Sequence, residues 1–388
     1  LDVAEQGHVE VEHGRLEELV TRQQGSEPRA DREEHPDLDN IYMDAVQAMG
    51  IQGGWPLNVF LMPDGKPFYG GTYFSPMNWK KLLYAVSEGF QNHLPDLQKS
   101  AEGFTENMSF LESVKYGLQS DEIGFNIDDL EAMYQKLSGT FDPQWGGFER
   151  APKFPMPSVW LFLLRYIQAG GEKKEEALAH LRLTLSKIAK GGIYDQLGGG
   201  FARYSVDGEW FCPHFEKMLY DQALLLRVYT HAAVLFKSET YKQICGEIIE
   251  YVLRDLRHPD GGFFSAEDAD SLDDQGHSHE GHFYVFTPEQ LRTILSADEF
   301  EVACDHYEIT QNGNFEGKNI PSRLNHRGDF KRSPIIDAIR AKIFRARNQR
   351  TRPLLDDKVL TEWNAMMTAS LVEAATLFNE PSWLTAAE

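Results

Sequence analysis

The sequence predicts an α+β segment followed by an all-α domain of helical hairpins that form an (α/α) toroid, incomplete at the C-terminus. Three observations predict this fold class: a strand–turn–strand pattern near residue 60, helical periodicity after residue 117, and a Gly-rich loop that recurs between the helices. The 388 residues are enough for two domains with sizeable cores.

Composition and charge limit the classes of function. Hydrophobic residues make up 41% of the chain and charged residues 25%, as in ordinary globular proteins. The net charge of −22 argues against nucleic acid or an anionic membrane as a partner. No apolar run is long enough for a membrane span, and the N-terminus lacks the pattern of a signal peptide. The three separated cysteines, Cys212, Cys245 and Cys304, favour a reducing compartment, so we expect a cytoplasmic protein.

The stretch "GGWPLNVFLMPDGKPFYGGTYF", residues 53–74, predicts two strands joined by a tight turn at Asp64-Gly65. Pro56 precedes the first strand, where a thioredoxin-like fold has a cis-proline; a rigid turn is the alternative. Helices are predicted before and after this hairpin. We therefore expect a partial thioredoxin-like domain over residues 31–116, preceded by an unmatched segment, residues 1–30. Thiol chemistry of the thioredoxin kind needs a Cys-x-x-Cys pair, which the sequence lacks.

Residues 117–388 have a different character. Gly-rich loops recur at 142–154, 195–210 and 260–271, and the phenylalanines that follow their glycines, Phe148, Phe201 and Phe263, are 53 and 62 residues apart, a period that fits one helical hairpin per repeat. Such hairpins close into a toroid whose Gly-rich loops line a cavity on one face. Helical spacing of apolar residues predicts the helices themselves over 158–169, 173–190, 215–237, 239–256, 332–347 and 358–378.

Seven stretches carry a family resemblance. They are "DREEHPDLDNIYMDAVQAM", the hairpin above, "APKFPMPS", "GGIYDQLGGGFARYSVDGEWFCPHFEKMLYDQALLL", "GGFFSAEDADS", "GNFEGKNI" and "RPLLDDKVLTEWNAMM". Together they resemble the spermatogenesis-associated protein 20 family. The resemblance implies a thioredoxin-like domain followed by a six-hairpin domain similar to glycosidases and N-acylglucosamine 2-epimerases. Members usually carry a Cys-His-Trp-Cys-like pair before "DREE" and continue past residue 388, so we expect a fragment truncated at both ends or a misassigned start.

Four acidic or basic residues are candidates for catalysis. His214 and Glu216, with Asp221 nearby, are predicted at the start of a long helix on the cavity rim, where they could exchange protons with a sugar hydroxyl or anomeric carbon. Asp268 and Asp270 in "SAEDADS" could supply a general acid and base, since mutual repulsion raises a carboxyl pKa. The alternatives are a capping and packing cluster at His214 and solvated turn residues at the aspartates.

Further residues are candidates for substrate binding, because aromatic rings stack on sugar faces and polar groups bind hydroxyls. They are Arg203, Tyr204, Trp210, Glu267, Asp356, Asp357, Trp363 and Asn364. An ordinary helix N-cap is the alternative role for Asp356 or Asp357.

The motif "HSHEGH" carries His277, His279 and His282, which invite a zinc interpretation. We instead expect an exposed insertion, because no fixed helical or strand spacing aligns the three rings. The sequence therefore predicts no metal and no cofactor. Cys212 and His214 are two residues apart, a spacing that does not place them face to face on a helix.

The sequence thus favours a carbohydrate-related enzyme or sugar-binding protein, with hydrolysis, epimerisation and plain binding left open. The expected partner is a sugar-like small molecule, and a peptide at the groove near Pro56 is a further expectation. Neither nucleic acid nor a membrane is predicted as a partner. The alternatives are a thiol-disulfide redox protein, in full-length relatives, and a non-catalytic binding scaffold.

Overall fold

The computed structural model describes residues 32–108, 127–325 and 331–388. The chain divides into two compact units, Leu1–Gly124 and Phe125–Glu388. Strands and helices mix in the first unit and helices dominate the second, so the predicted class, an α+β segment followed by an all-α helical domain, is confirmed. The predicted segment 1–30 and the predicted boundary after residue 116 lie outside the described residues.

The described part of the first unit, residues 32–108, consists of a helix, an antiparallel hairpin and two further helices. Its elements are α1 (Pro36–Ala48), β1 (Asn58–Leu61), β2 (Pro67–Gly71), α2 (Pro76–Asn92) and α3 (Leu94–Met108). Proline begins α1 and α2, since its fixed φ suits the first helical turn. Ser75 caps α2 by accepting a hydrogen bond from the Asn78 N–H at 3.4 Å.

The predicted hairpin turn is present at Asp64-Gly65. Gly65 has φ +84°, a conformation that residues with a side chain rarely adopt, and the Met62 N–H donates to the Lys66 carbonyl at 2.8 Å. The Trp55–Pro56 bond is cis, as predicted. Met62 and Phe68 pack with Ala101 of α3 in a small core, which joins the hairpin to the last helix.

The second unit is built from helical hairpins. Its helices are α4 (Ile127–Ser138), α5 (Pro157–Gln168), α6 (Lys174–Lys190), α7 (Leu219–Phe236), α8 (Glu239–Tyr251), α9 (Pro288–Ile294), α10 (Ala297–Tyr307), α11 (Pro334–Arg347), α12 (Thr361–Phe378) and α13 (Pro381–Ala387). Helix α7 packs against α5, α8 and α12 and is buried on most sides. Its apolar residues form the centre of the main core. None of the helices in the described part of the chain is long and apolar enough to cross a membrane.

The Gly-rich loops repeat in structure as well as in sequence. In each loop a β-bridge joins the residue before the turn to the phenylalanine after the glycines: Phe141 to Phe148, Tyr194 to Phe201, and Arg257 to Phe263. Two successive glycines in each loop have positive φ, as Gly199 and Gly200 do in the second. A Cβ on Gly199 would lie 2.4 Å from the Glu247 carbonyl oxygen, so a side chain there would clash.

Short strands occupy several positions between the helices. They are β3 (Tyr204–Ser205), β4 (Pro213–His214), β5 (Lys217–Met218), β6 (Ala266–Glu267), β7 (Asp270–Leu272), β8 (Ser278–Glu280) and β9 (Leu355–Asp356). They pair as β3–β4, β5–β6–β9 and β7–β8, all antiparallel.

These strands correct two sequence-based expectations. The helix predicted from residue 215 begins at Leu219, because the Arg203 N–H donates to the Glu216 carbonyl and the Leu219 N–H to the Ser265 carbonyl, both at 2.8 Å. These hydrogen bonds between distant segments of the chain hold residues 215–218 extended. The alternative role of Asp356 or Asp357 as a helix N-cap is also wrong, since Asp356 lies in β9 and the N-cap of α12 is Leu360.

A buried ionic network holds the second Gly-rich loop. Asp195 accepts from Lys217 Nζ at 2.9 Å and from Arg347 Nη1 at 2.8 Å, and its Oδ1 also accepts the N–H groups of Leu197 and Gly198. Burial opposes ionisation of Asp195, but the charges of Arg347 and Lys217 outweigh it and hold its pKa well below the usual value. One carboxylate thus ties the loop to β5 and to the end of α11.

We predict that Asp195→Asn lowers the free energy of unfolding by about 3–5 kcal/mol, because it leaves two buried cations without their anion while keeping an acceptor for the loop N–H groups. Urea unfolding followed by circular dichroism measures the loss. Asp298→Asn, which removes an exposed charge in the first turn of α10, is the control. Equal losses in the two variants would contradict the prediction.

Candidate functional site

Four polar side chains meet beside the second Gly-rich loop. His214 Nδ1 lies 2.8 Å from Glu280 Oε1, and His214 Nε2 lies 3.6 Å from Glu216 Oε2. Arg203 Nη1 donates to Glu216 Oε2 at 2.7 Å. The side chains of Arg203, His214 and Glu216 are 27%, 27% and 21% exposed, so solvent reaches all three.

Local strand pairing brings these residues together. Tyr204 of β3 lies directly opposite His214 of β4, and the two rings stack with their centroids 4.9 Å apart. The segment between the two strands is held by Asp207, whose carboxylate accepts the N–H groups of Glu209, Phe211 and Cys212. The hairpin therefore fixes both the position and the ring plane of His214.

His214 is the titratable centre of the cluster. The nearby carboxylate of Glu216 raises the pKa of His214 above the ordinary value, burial acts in the opposite direction, and Glu280 raises the pKa further. The Nδ1 atom is held by a normal hydrogen bond to Glu280, whereas Nε2 is farther from Glu216 than a normal hydrogen bond. Nε2 is thus the nitrogen better placed to exchange a proton with a ligand.

Two carboxyl groups near Arg203, those of Glu216 and Asp221, have opposite pKa shifts. Burial opposes ionisation of Glu216, but His214 and Arg203 outweigh it and lower its pKa. Asp221, in the first turn of α7, is buried, and its Oδ2 has no hydrogen-bond partner among the described residues. Burial raises the pKa of Asp221 to about 8. At neutral pH the pair therefore supplies one carboxylate and one neutral carboxylic acid.

Aromatic rings border the cluster on two sides. Tyr220 lies edge-on to Trp363 of α12 with centroids 4.8 Å apart, and burial raises the pKa of the Tyr220 hydroxyl to about 12. Phe154 packs on Tyr204 with centroids 4.7 Å apart and is 36% exposed. Trp363, predicted as a substrate-binding residue, thus lies next to the cluster through Tyr220.

Two of the predicted substrate-binding residues are buried elsewhere. Trp210 is fully buried, and its Nε1 donates to the Trp145 carbonyl at 2.9 Å. Glu267 is 2% exposed and accepts from Tyr251 at 2.9 Å and from Arg352 at 2.5 Å. Packing against neighbouring side chains leaves neither group able to touch a substrate, which corrects the predicted roles of both.

The aspartates of "SAEDADS" lie on the surface, outside the His214 cluster. Asp268 is exposed, and its Oδ1 accepts the Asp270 N–H at 3.2 Å as a turn residue does. Asp270 is paired with Glu280 across β7–β8 and accepts from the Ser278 hydroxyl at 3.2 Å. The structure therefore brings Asp270 beside a member of the cluster, whereas Asp268 serves the turn.

The candidates after residue 350 have structural contacts. Asp356 pairs with Lys358 at 3.2 Å, and Asp357 is exposed. Asn364 accepts the Phe263 N–H at 2.7 Å and donates to the Phe263 carbonyl at 3.0 Å. Asn364 is thus the residue through which α12 holds the third Gly-rich loop.

The sequence did not indicate Glu280 as a site residue, and it indicated Asp221 only as a neighbour of the catalytic candidates. Glu280 lies in "HSHEGH", which was interpreted as an exposed insertion but forms β8 of a hairpin. The signal that could have found it is Asp-Asp-Gln-Gly-His between two short runs, a pattern typical of a hairpin turn. Burial of Asp221 could be inferred from its place among the apolar residues of α7.

The three cysteine thiols are not activated. Burial raises the pKa of Cys212 to about 11 and of Cys245 to about 12, and it also raises the pKa of Cys304.

In the first unit, Trp55 beside the cis-proline is 55% exposed, with its Nε1 donating to Asp39 at 2.9 Å. The peptide groove expected near Pro56 stays a prediction.

Comparison with known proteins places this chain. The family model Thioredox_DsbH, described as a protein of unknown function, DUF255, matches residues 27–109. The chain is therefore a thioredoxin-like segment followed by a helical-hairpin domain that carries the His214 cluster.

More specifically, the chain is a relative of spermatogenesis-associated protein 20, and the resemblance predicted from its motifs is confirmed. It is 34% identical to the Homo sapiens protein of that name over 382 residues, which cover 88% of this chain and 48% of the human protein. It is also 34% identical over 398 residues to the uncharacterized protein B0495.5 of Caenorhabditis elegans, covering 93% and 54% of the two chains. The chain thus spans about half the length of the curated relatives it matches.

Solved structures with some similarity to this chain include two sugar-converting enzymes. A crystal structure of D-mannose isomerase covers 69% of this chain and 52% of its own, with a TM-score of 0.38 and 11% identity. A sugar epimerase from a ruminal bacterium covers 67% of this chain and 84% of its own, with a TM-score of 0.33 and 13% identity.

We predict that the unfolding free energy of the unsubstituted chain, measured against Asp221→Asn, falls as pH rises from about 4 to about 8. The folded-state pKa of about 8 lies above the ordinary 3.8, so over this interval the folded state binds a proton that the unfolded state has lost. Asparagine cannot ionise, so the variant lacks this dependence. The unfolding free energy of the unsubstituted protein should therefore fall progressively relative to that of the variant as pH rises, and then level off above about pH 8. Urea unfolding at fixed temperature across this range measures it. A difference independent of pH would contradict the burial of an ionisable Asp221.

Proposed function

We propose that the His214 cluster binds a sugar-like carbonyl compound and moves a proton at the carbon next to its carbonyl group, as an epimerase or isomerase does. The observation that carries the proposal is the imidazole of His214, held by Glu280 at Nδ1 and only loosely contacted at Nε2, beside the guanidinium of Arg203. A base with a pKa near the working pH is the most effective proton acceptor. Raising the pKa of His214 moves it in that direction from 6.5.

The proposed step is redox-neutral and needs no co-reactant. His214 Nε2 takes the proton as the C–H bond breaks, and the electron pair moves to form an enolate whose negative charge lies on the former carbonyl oxygen. Returning the proton to the opposite face of the same carbon re-forms the carbonyl and gives epimerisation. Isomerisation results when the hydroxyl proton of the first carbon moves to the former carbonyl oxygen and the proton on His214 returns to the neighbouring carbon, so that the carbonyl forms at the first carbon. In either case the enolate is the species that the site must stabilise.

The charges of the cluster favour this chemistry over glycoside hydrolysis. Hydrolysis passes through a cation-like transition state flanked by two carboxyl groups. Here both carboxylates are already held by protein groups, Glu216 by the guanidinium of Arg203 and Glu280 by the imidazole of His214. The guanidinium of Arg203 carries five N–H donors, more than its bonds to Glu216 and Tyr220 use, and donors of this kind stabilise an oxyanion.

Neutral Asp221 supports the same proposal. It lies near Arg203 and Glu216, and in its protonated form it adds no negative charge to a site where an oxyanion forms. A buried carboxylate there would oppose enolate formation by Coulomb repulsion. The high pKa of Asp221 thus keeps the charge of the site suited to an anionic intermediate.

We predict that the purified chain exchanges the hydrogen next to the carbonyl of at least one aldose or ketose with solvent deuterium, followed by proton NMR in D₂O. A panel of aldoses, ketoses and amino sugars identifies the substrate. His214→Gln should slow exchange by about 100-fold or more, the usual contribution of a positioned base. The matched control is His231→Gln, because His231 also contacts a carboxylate, that of Glu373 at 3.2 Å, but lies outside the cluster.

Exchange that survives His214→Gln, or no exchange with any member of the panel, would contradict the proposal. A thermal unfolding scan with the same sugars separates the two parts of the idea, since a ligand that binds the folded state raises its melting temperature. Stabilisation without exchange would leave a sugar-binding protein in place of an enzyme.

We further predict that Glu280→Gln moves the acid limb of the pH–rate profile to lower pH. The limb reports deprotonation of His214, and Glu280 raises the pKa of that imidazole. Glutamine preserves the size and an acceptor for Nδ1 but removes the charge. An unmoved acid limb would show that Glu280 does not set the titration of His214.

A further inference from the structure

The turn between β7 and β8 brings together three groups that ligate metals. They are the carboxylate of Asp273, directly after β7, and the imidazoles of His277 and His279. Their ligand atoms all lie within 4.8 Å of one another. Asp273 Oδ2 is 3.6 Å from His277 Nδ1 and 3.1 Å from His279 Nε2. The sequence-based expectation that no strand spacing aligns these rings is thus corrected for two of the three histidines.

The turn itself is built by the other oxygen of the same carboxylate. Asp273 Oδ1 accepts the N–H groups of Gln275 at 2.8 Å and His277 at 2.9 Å. Backbone bonds between Asp273 and His277 and between Gly276 and Asp273 close the turn, and Gly276 has φ +84°. One oxygen of Asp273 is therefore committed to the fold, and the second is held against both imidazoles.

The spacing of these atoms suits a bound ion. Ligands at about 2.0–2.2 Å from a tetrahedral zinc lie roughly 3.3 Å from one another. The two distances from Asp273 Oδ2 fall on either side of that value. The imidazoles are exposed, at 68% and 54%, so small rotations can bring them onto one ion, and water can reach its remaining positions.

We propose that Asp273, His277 and His279 bind one divalent transition-metal ion of the kind imidazole prefers, with zinc as the first candidate. His282, the third histidine of the motif, is not a ligand. Its ring centroid lies 6.2 Å from that of His279, and its Nδ1 lies 3.4 Å from Lys318 Nζ, whose positive charge opposes a second cation. Two imidazoles and one carboxylate leave coordination positions for water.

The test is zinc binding by the full chain after removal of metals with a chelator. Titration calorimetry against zinc chloride gives the stoichiometry and affinity of the unsubstituted protein, and visible absorption of bound cobalt(II) reports the coordination. His279→Ala should remove one equivalent of bound zinc or weaken it by more than 100-fold, beyond the 10–100-fold that loss of an outer-shell partner costs. His282→Ala is the matched control from the same motif and should bind as the unsubstituted protein does.

Asp273→Asn provides a second variant, because asparagine can still accept the N–H groups of the turn through its side-chain oxygen while losing the anionic ligand. It should fold, as judged by circular dichroism, and bind zinc more weakly. Absence of zinc binding by the unsubstituted chain, or equal binding by the unsubstituted chain and His279→Ala, would overturn the proposal. Loss of binding in His282→Ala to the same degree would replace the assigned ligand set.

Discussion

The position of the His214 cluster depends on one buried carboxylate, that of Asp195. Asp195 stands at the start of the second Gly-rich loop, where its carboxylate accepts the N–H groups of Leu197 and Gly198. The same carboxylate pairs with Lys217 and Arg347. Lys217 directly follows Glu216 and begins β5. The ion pair between Lys217 and Asp195 therefore fixes the backbone next to Glu216. Removing one partner of such an interior pair is far more costly than the pair is worth as a whole, which makes the arrangement hard to vary piecemeal.

The same arrangement occurs in the first Gly-rich loop. Asp142 accepts the N–H groups of Gln144 and Trp145 and pairs with Lys153 at 2.6 Å, as Asp195 does with Lys217. The third loop lacks the aspartate, and the Nδ1 of His258 accepts the Asp260 N–H at 3.0 Å instead. The first two loops thus share an aspartate that accepts loop N–H groups and pairs with a lysine, and the second of them continues into the hairpin that carries His214.

The sequence could predict those features that depend on local order along the chain. Apolar periodicity predicted α5, α6 and α12 to within a few residues, and paired glycines predicted loops that do need positive φ. It could not predict contacts that join distant segments: His214 and Glu280 are 66 positions apart. Nor could it predict which polar and aromatic loop residues face inward. Trp210 and Glu267 are residue types that commonly bind sugars. Hydrogen bonds to partners elsewhere in the chain nevertheless hold both side chains inside the core.

The hairpin formed by β7 and β8 makes one part of the site separable from the rest. Glu280, which raises the pKa of His214, is supplied by a short and largely exposed ribbon, whereas His214 itself stands on a strand anchored in the interior. Changes in the ribbon can therefore alter the pKa of the imidazole without disturbing the packed helices. For protein engineering, this ribbon is therefore a place where substitutions can change the electrostatics of the cluster while the helical core stays unaltered.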